Sequence, residues 1–541
     1  MKSRFAAFVR FRHATPPLVM LVVCAAAAVL VPATPARAGS PDSARALRAL
    51  LGFQQAKLTA SDGATGDYFG HSVAISGDTA VVSACGDKVG THAFQGSAYI
   101  FVRSGSAWSK QAKLTAADGA ANDYFGTSVA ISGETVVVGA PDDNVGANED
   151  QGSAYVFVRS GITWSQQTKL TAADGAYSDN FGSSAAIEGD TAVVGADNDS
   201  VGAGFRQGST YVFVRSATAW SQQQRLTATD GLEGDQFGYT VAVSGETVVV
   251  GAPSDDAGVW VGSDEGSAYV FVRSGTAWSQ QRKLTAAADA EAGDGFGESV
   301  AVSGETAVVG ALGDNIGDDV VGLKVNQGSA YVFVRSGTAW SRQAQLVAAD
   351  GATGDWFGSS VAVGGDTAVV GAVDDNIGAN PDQGSACVFV RSGTAWSQQA
   401  KLTAADGAAG DWFGCSVAIS GDTAVVGACY DKVGSDRNQG SACVFLPAEI
   451  AKPAKPVAKS PKGLISSRTP TFKWTAAGGA DVYEVRVYKG SSLIRKKTGI
   501  TTTSWRCTKR LPRGVYLTWK VQARNAAGAG PWSAKPRFKV R

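Results

Sequence analysis

FGTSVAISGETVVVGAPDDNVGANEDQGSAYVFVRSGITWSQQTKLTA, residues 125–172, decides the fold. Four strand candidates separate in it by β-branched and aromatic content and by turn punctuation. Thr127–Ser132 reads as strand one, and Gly133-Glu134 turns it tightly into strand two, Thr135–Gly139. A long Asp/Asn/Gly loop leads to strand three, Ser153–Arg159, and Ser160-Gly161 turns that into strand four, Thr163–Thr171. The phrase recurs. Phe-Gly pairs begin at Phe69, Phe125, Phe181, Phe237, Phe296, Phe357 and Phe413, spaced 56, 56, 56, 59, 61 and 56 residues apart. A repeat of this length is one unit that must stack on its neighbours to bury its apolar face. Four antiparallel strands per unit, repeated radially, predict an all-β propeller, which leaves only short, protected sheet edges.

The ends of the array close it. The strand-four phrase with its Trp occurs six times, at Trp108, Trp164, Trp220, Trp278, Trp340 and Trp396. The seventh copy stops after strand three, at SACVFLPAE, and the missing phrase stands at the other end as Phe53-Gln-Gln-Ala-Lys-Leu-Thr59. An open solenoid has no reason to divide one unit between its two ends. The expectation is a seven-bladed ring over residues 53–447 whose N-terminal strand completes the last blade. The Phe, Trp and Tyr of each copy are the large groups available to fill the space between blades, so they read as scaffold.

The Phe-Gly pairs, with Gly139-Ala140-Pro141 and Gly251-Ala252-Pro253, resemble the FG-GAP repeats of integrin α-subunit propellers and of secreted bacterial FG-GAP proteins. Other copies keep Gly-Ala and vary the third residue, as at Val373 and Cys429. The resemblance implies an extracellular adhesion or interaction module and, in integrins, calcium held between strands one and two. That connection is only Ser-Gly-Asp or Ser-Gly-Glu here, as at Ser76-Gly77-Asp78, too short to supply six or more oxygen ligands.

Antiparallel order places the one-to-two and three-to-four turns on one face and the long loops on the other. The long-loop face collects Asp142-Asp143-Asn144, Asp197-Asn198-Asp199, Asp314-Asn315, Asp374-Asp375-Asn376 and the Asp-Gly leads at Asp118 and Asp406. Asp-x-Asn spacing suits calcium, but Asp, Asn and Gly are also ordinary turn formers, and no full Asp-x-Asp-x-Asp-Gly run is present. No cofactor is expected, with calcium in these loops as the alternative. Repeats four and five are longer, at residues 255–266 and 313–328, and carry apolar residues where other copies are polar. Asp255, Asp256, Val259, Trp260, Asp318, Asp319, Val321 and Leu323 are therefore the candidate partner-binding residues.

The flanks differ in kind. Lys2, Arg4, Arg10 and Arg12, the apolar run Leu18–Val31 and Ala36-Arg37-Ala38 read as a signal peptide over 1–38. A short helix or linker at 39–52 follows, and no later stretch is apolar for long enough to cross a bilayer. Cys85, Cys387, Cys415, Cys429, Cys443 and Cys507 form no metal-spaced set. Cys85 and Cys429 hold equivalent places in the first and last repeats, which a bridge would join if those repeats are neighbours. Residues 448–461 are a Pro/Lys/Ala-rich linker, expected to be an extended spacer. Residues 462–541 alternate like a small β-sandwich. Trp474, Tyr483, Leu511-Pro-Arg-Gly-Val-Tyr516, Trp519-Lys-Val-Gln-Ala and Asn525 to Trp532-Ser make it resemble a fibronectin type III domain. Charge is split sharply: residues 39–451 hold 22 Lys+Arg against 46 Asp+Glu, and residues 452–541 hold 21 against 2.

His71 and His92 are the only histidines after residue 38, and no nucleophile elbow, zinc motif or phosphate loop accompanies them. A secreted or cell-surface interaction protein, monomeric and not an enzyme, is the reading. It would bind an extracellular protein or glycan on the long-loop face, with an anionic wall polymer as a partner for the basic tail and no nucleic acid expected. The alternative is an extracellular polysaccharide-binding protein or hydrolase.

Overall fold

Every second strand is buried along its whole length, as in Thr135–Ala140, because Val-rich strands in mid-sheet meet a neighbouring blade on either side. Every fourth strand is half-exposed, as in Thr163–Leu170, and marks the rim. The computed structural model describes residues 54–256, 263–317, 323–446, 453–478, 480, 482–525 and 528–541. The expected signal segment and the helix or linker at 39–52 lie outside them.

Seven four-stranded antiparallel sheets follow one another, here numbered as blades 1 to 7 by their Phe-Gly pairs from Phe69 to Phe413. Blade 2 runs Val129–Ser132, Thr135–Ala140, Ser153–Ser160 and Thr163–Leu170, within two residues of the sequence expectation. Blade 7 takes its fourth strand from the N-terminus. Gln54–Leu58 pairs antiparallel with Ser441–Phe445, placing Lys57 opposite Cys443 and Leu58 opposite Ala442. Gln54 Oε1 accepts the Ala405 N–H at 2.8 Å, as Gln166 does for Ala117 in blade 2, so the displaced strand performs the ordinary duties of strand four.

The Phe of every Phe-Gly pair is fully buried. Phe69 packs with Leu58, Tyr99, Phe101, Val425 and Val444, which come from blades 7 and 1 together. The Gly that follows lets the preceding blade approach: a Cβ on Gly126 would stand 2.7 Å from the Ser97 carbonyl oxygen. At the rim each Trp donates its indole N–H to a Gln of the preceding blade, as Trp164 does to Gln111 at 2.9 Å. On the short-turn face Arg215 pairs with Asp190 of its own blade at 2.7 Å and reaches Thr135 Oγ1 of blade 2 at 2.9 Å.

The C-terminal region forms two sheets. One holds Ala458–Ser460, Thr471–Trp474 and Ser504–Arg506; the larger is built on Val482–Lys489, Ser492–Ile500, Tyr516–Asn525 and Arg537–Val540. Their inner faces meet around Phe472, Trp519, Phe538 and Val485. Pairing begins earlier than the Pro-rich composition suggests. Ala458 lies opposite Trp474, and the Ala454 N–H donates to the Gly478 carbonyl, so the second half of the expected spacer belongs to the sandwich.

Candidate functional site

Two sets of acidic residues on the long-loop face are engaged within the blades themselves. The Asp that follows the Gly-Ala segment is buried in every blade: Asp87, Asp143, Asp199, Asp255, Asp314, Asp375 and Asp431. In six blades a strand-four cation neutralises it, as Lys169 does Asp143 at 2.7 Å and Lys57 does Asp431 at 2.6 Å. The same cation reaches the Asp-Gly lead, as Lys169 does Asp118 at 2.7 Å. Burial lowers the Lys169 pKa, and its two carboxylate partners more than reverse that, so it ends above the ordinary lysine value. In blade 5 the cation is replaced by Gln345, which donates to Asp314 at 2.9 Å. Carboxylates engaged this way are blade struts.

The expected contact residues divide. Asp255 is one of these struts, bonded by Tyr269 Oη at 2.6 Å and Lys283 at 2.7 Å, and is therefore buried rather than presented to a partner. Asp256 Oδ1 accepts the Ser263 and Asp264 N–H groups at 2.8 and 3.2 Å, closing the foot of its loop. Leu323 is exposed. Val259, Trp260, Asp318, Asp319 and Val321 lie outside the described residues. Just past the second insertion, Lys324 Nζ donates to the Gly351 carbonyl at 2.6 Å. Asn148 makes the matching bond in blade 2, and His92 Nδ1 stands 3.0 Å from Gly119 O in blade 1. His92 is thus a loop brace.

Strand one of each blade, or in blades 2 to 4 the residues just before it, faces a central channel, contributing His71, Thr127, Ser183, Tyr239, Glu298, Ser359 and Cys415 at one level. Tyr239 donates to Glu298 at 3.0 Å across blades 4 and 5. Burial pushes the Glu298 carboxyl above its usual range. His71 is open to the channel but ringed by protein, which disfavours its charged form and lowers its pKa.

On the side of blades 6, 7, 1 and 2 the channel mouth widens into a cavity of about 530 Å³ on the long-loop face. Tyr68, Tyr124, Trp412 and Tyr430 wall it; Cys85, Cys415, Cys429, Val373 and Ser359 also line it; His71 and Thr127 supply polar atoms. Trp412 and Tyr430 stand 4.4 Å apart at 50°, and Tyr68 and Tyr430 5.3 Å apart at 56°. The three cysteines are free thiols: Cys85 and Cys429 line the same cavity, as neighbouring first and last blades allow, without a bridge. Cys429 sits closest to Cys415, whose sulfur accepts the Cys429 N–H at 3.3 Å. Burial pushes the Cys85 thiol up to about 12. Among the described residues no group of three or more His, Cys, Asp or Glu side chains is placed to hold a metal ion.

Sequence reasoning missed this cavity because it treated the recurring aromatics as scaffold. The usable signal was one column of the repeat, the residue before Phe-Gly, which reads Tyr68, Tyr124, Asn180, Gln236, Gly295, Trp356 and Trp412. It is aromatic in four blades that are adjacent only once the ring is closed.

The basic tail presents a second surface. Arg486 and Lys520 lie 4.8 and 4.0 Å from the Trp532 ring, Lys535 4.4 Å from Tyr488, and Arg537 3.6 Å from Tyr516. These residues share the outward face of the larger sheet, while Val485, Val487, Trp519 and Val521 point into the core.

A search among curated proteins finds none that matches the chain. A family model described as "FG-GAP repeat" matches residues 53–101, 108–157, 164–213, 220–271, 278–333, 340–389 and 396–445. Each match begins in strand four of one blade and ends in strand three of the next, the same offset that leaves the N-terminal strand to close the ring. With these seven segments making up more than half of its length, the chain belongs to the FG-GAP repeat family.

Proposed function

We propose that this protein is an exported interaction protein, not an enzyme, that engages an extracellular protein or glycan on the long-loop face of its propeller. The observation that carries this reading is the aromatic-walled cavity at the channel mouth, a concave, partly apolar feature of a face where every blade also turns a buried Asp inward. Export rests on the charge, apolar core and small-residue pattern of residues 1–38. The basic sandwich is a second module. Its two-sheet order supports the fibronectin type III reading, and cations interleaved with Tyr488, Tyr516 and Trp532 suit an anionic wall polymer.

The test is binding of the full chain to arrays of matrix proteins, wall fragments and glycans. Variants at Trp412 and Tyr68 are compared with variants at Asp78 and Asp190 on the short-turn face. Binding that weakens only with the first pair supports the long-loop face. Binding indifferent to both pairs removes it, and turnover of any polymer on the panel would overturn the non-enzymatic reading in favour of a hydrolase.

A further inference from the structure

The residue before Phe-Gly has a left-handed backbone in every blade, with φ between 50° and 60°. Asn180 and Gly295 suit that conformation, whereas Tyr68, Tyr124, Trp356 and Trp412 do not: a bulky side chain there costs roughly 1–2 kcal/mol. Packing does not require them, because blades 3, 4 and 5 stack in the same ring with Asn180, Gln236 and Gly295. Aromatic rings held at a strained position on four adjacent blades, three of which open onto one cavity, point to a ligand.

The lining restricts its chemistry. Among the described residues no Asp, Glu, Lys or Arg borders the cavity. A charged ligand would lose its hydration without gaining a counter-ion. The polar groups present are neutral: the Thr127 hydroxyl, tyrosine hydroxyls, and His71, whose ring keeps one donor and one acceptor when uncharged. The volume, about 530 Å³, falls in the roughly 300–1,000 Å³ range of small-molecule sites. Apolar faces to lie against tilted rings, with a belt of uncharged hydroxyls to meet scattered neutral donors and acceptors, describe a pyranose.

We propose that the channel mouth bounded by Trp412, Tyr430 and Tyr68 binds a neutral saccharide, stacking a sugar face on the rings and taking hydroxyl contacts from His71 and Thr127. This rests on the reading of the long-loop face as the binding face. It narrows the partner to an uncharged glycan.

The experiment is calorimetric titration of the full chain with neutral tetrasaccharides of glucose, mannose, galactose and N-acetylglucosamine, with tetramethylammonium chloride and a sulfated polysaccharide as separate arms. Saturable binding of at least one neutral saccharide is expected, weakened at least tenfold by Trp412→Asn and by Tyr68→Asn. Both variants should keep a cooperative unfolding transition, since Asn already serves at position 180. Should Trp412→Asn fail to fold, Tyr124→Asn in blade 2, on the same cavity, gives the same readout. The proposal is overturned if no neutral saccharide binds, if binding survives these substitutions, or if tetramethylammonium displaces the sugar, which would make the rings a cation cage. A matrix protein that binds in a Trp412-dependent way, with no saccharide binding, would sink the proposal and leave the long-loop face standing.

Discussion

A backbone that turns left-handed before each Phe-Gly pair separates what the ring needs from what its mouth displays. Trp356 has φ 54° and remains 38% exposed, outside the cavity lining. Trp356→Asn should therefore raise stability by about 1 kcal/mol by releasing backbone strain, read as a higher urea midpoint at unchanged slope. One residue earlier in the chain, each blade carries a buried Asp whose carboxylate accepts an N–H three residues back, as Asp235 does from Leu232 at 2.6 Å. Burial, with Asp255 and Asp314 nearby, pushes Asp235 and Asp294 up to about 7, and burial takes Asp355 to about 6. An unfolded Asp titrates near 3.9, so between about pH 4 and 7 the folded chain holds protons the unfolded chain has released. Stability therefore falls as pH rises through that window. Tm should be higher at about pH 5 than at about pH 8, and the Asp235→Asn, Asp294→Asn double variant should flatten the difference. A Tm that climbs over the same range would contradict the protonated-carboxyl picture.

At the scale of strands, Gln54–Leu58 joins a sheet whose other three strands lie more than 350 residues away in the chain, and its Lys57 neutralises both Asp406 and Asp431. Lys57→Ala leaves Asp431 buried without its cation and should cost about 2 kcal/mol, moderated by the partial exposure of the lysine. Adding Asp431→Asn should restore part of the loss in a double-mutant cycle. In blade 5 the missing cation is a natural gap. Gln345→Lys should gain about 1 kcal/mol at neutral pH, measured by urea unfolding, because Asp314 then acquires the partner its six counterparts have. This blade anatomy was legible in the sequence: the Val-rich strand two, the Ser-Gly turns and the split seventh unit each carry a local signal. The struts were not. Asp255 lies in a loop of Asp, Gly and Val that reads as solvent-facing, and only Lys283 and Tyr269, 14 or more residues onward, turn its carboxylate inward. Nor was the first sandwich strand legible, since Ala458–Ser460 finds its partner only at Trp474.

For the molecule as a whole, ring closure creates the functional asymmetry. Cys85 and Tyr68 in blade 1 and Cys415, Cys429, Trp412 and Tyr430 in blade 7 stand at opposite ends of the repeat array, yet they border one cavity. No window along the chain contains that site. The longer loops of blades 4 and 5 stand out in the sequence by their length and their apolar residues, whereas the aromatic-walled cavity belongs to blades 6, 7, 1 and 2. Hydrogen exchange of the full chain, free and with its tightest-binding neutral saccharide, tests this location most directly. Protection is expected at residues 66–70, 122–127, 410–415 and 428–431, with residues 255–266 and 313–328 unchanged. Protection confined to those two loops, or to the outward face of the sandwich around Trp532, would contradict a recognition site at the channel mouth.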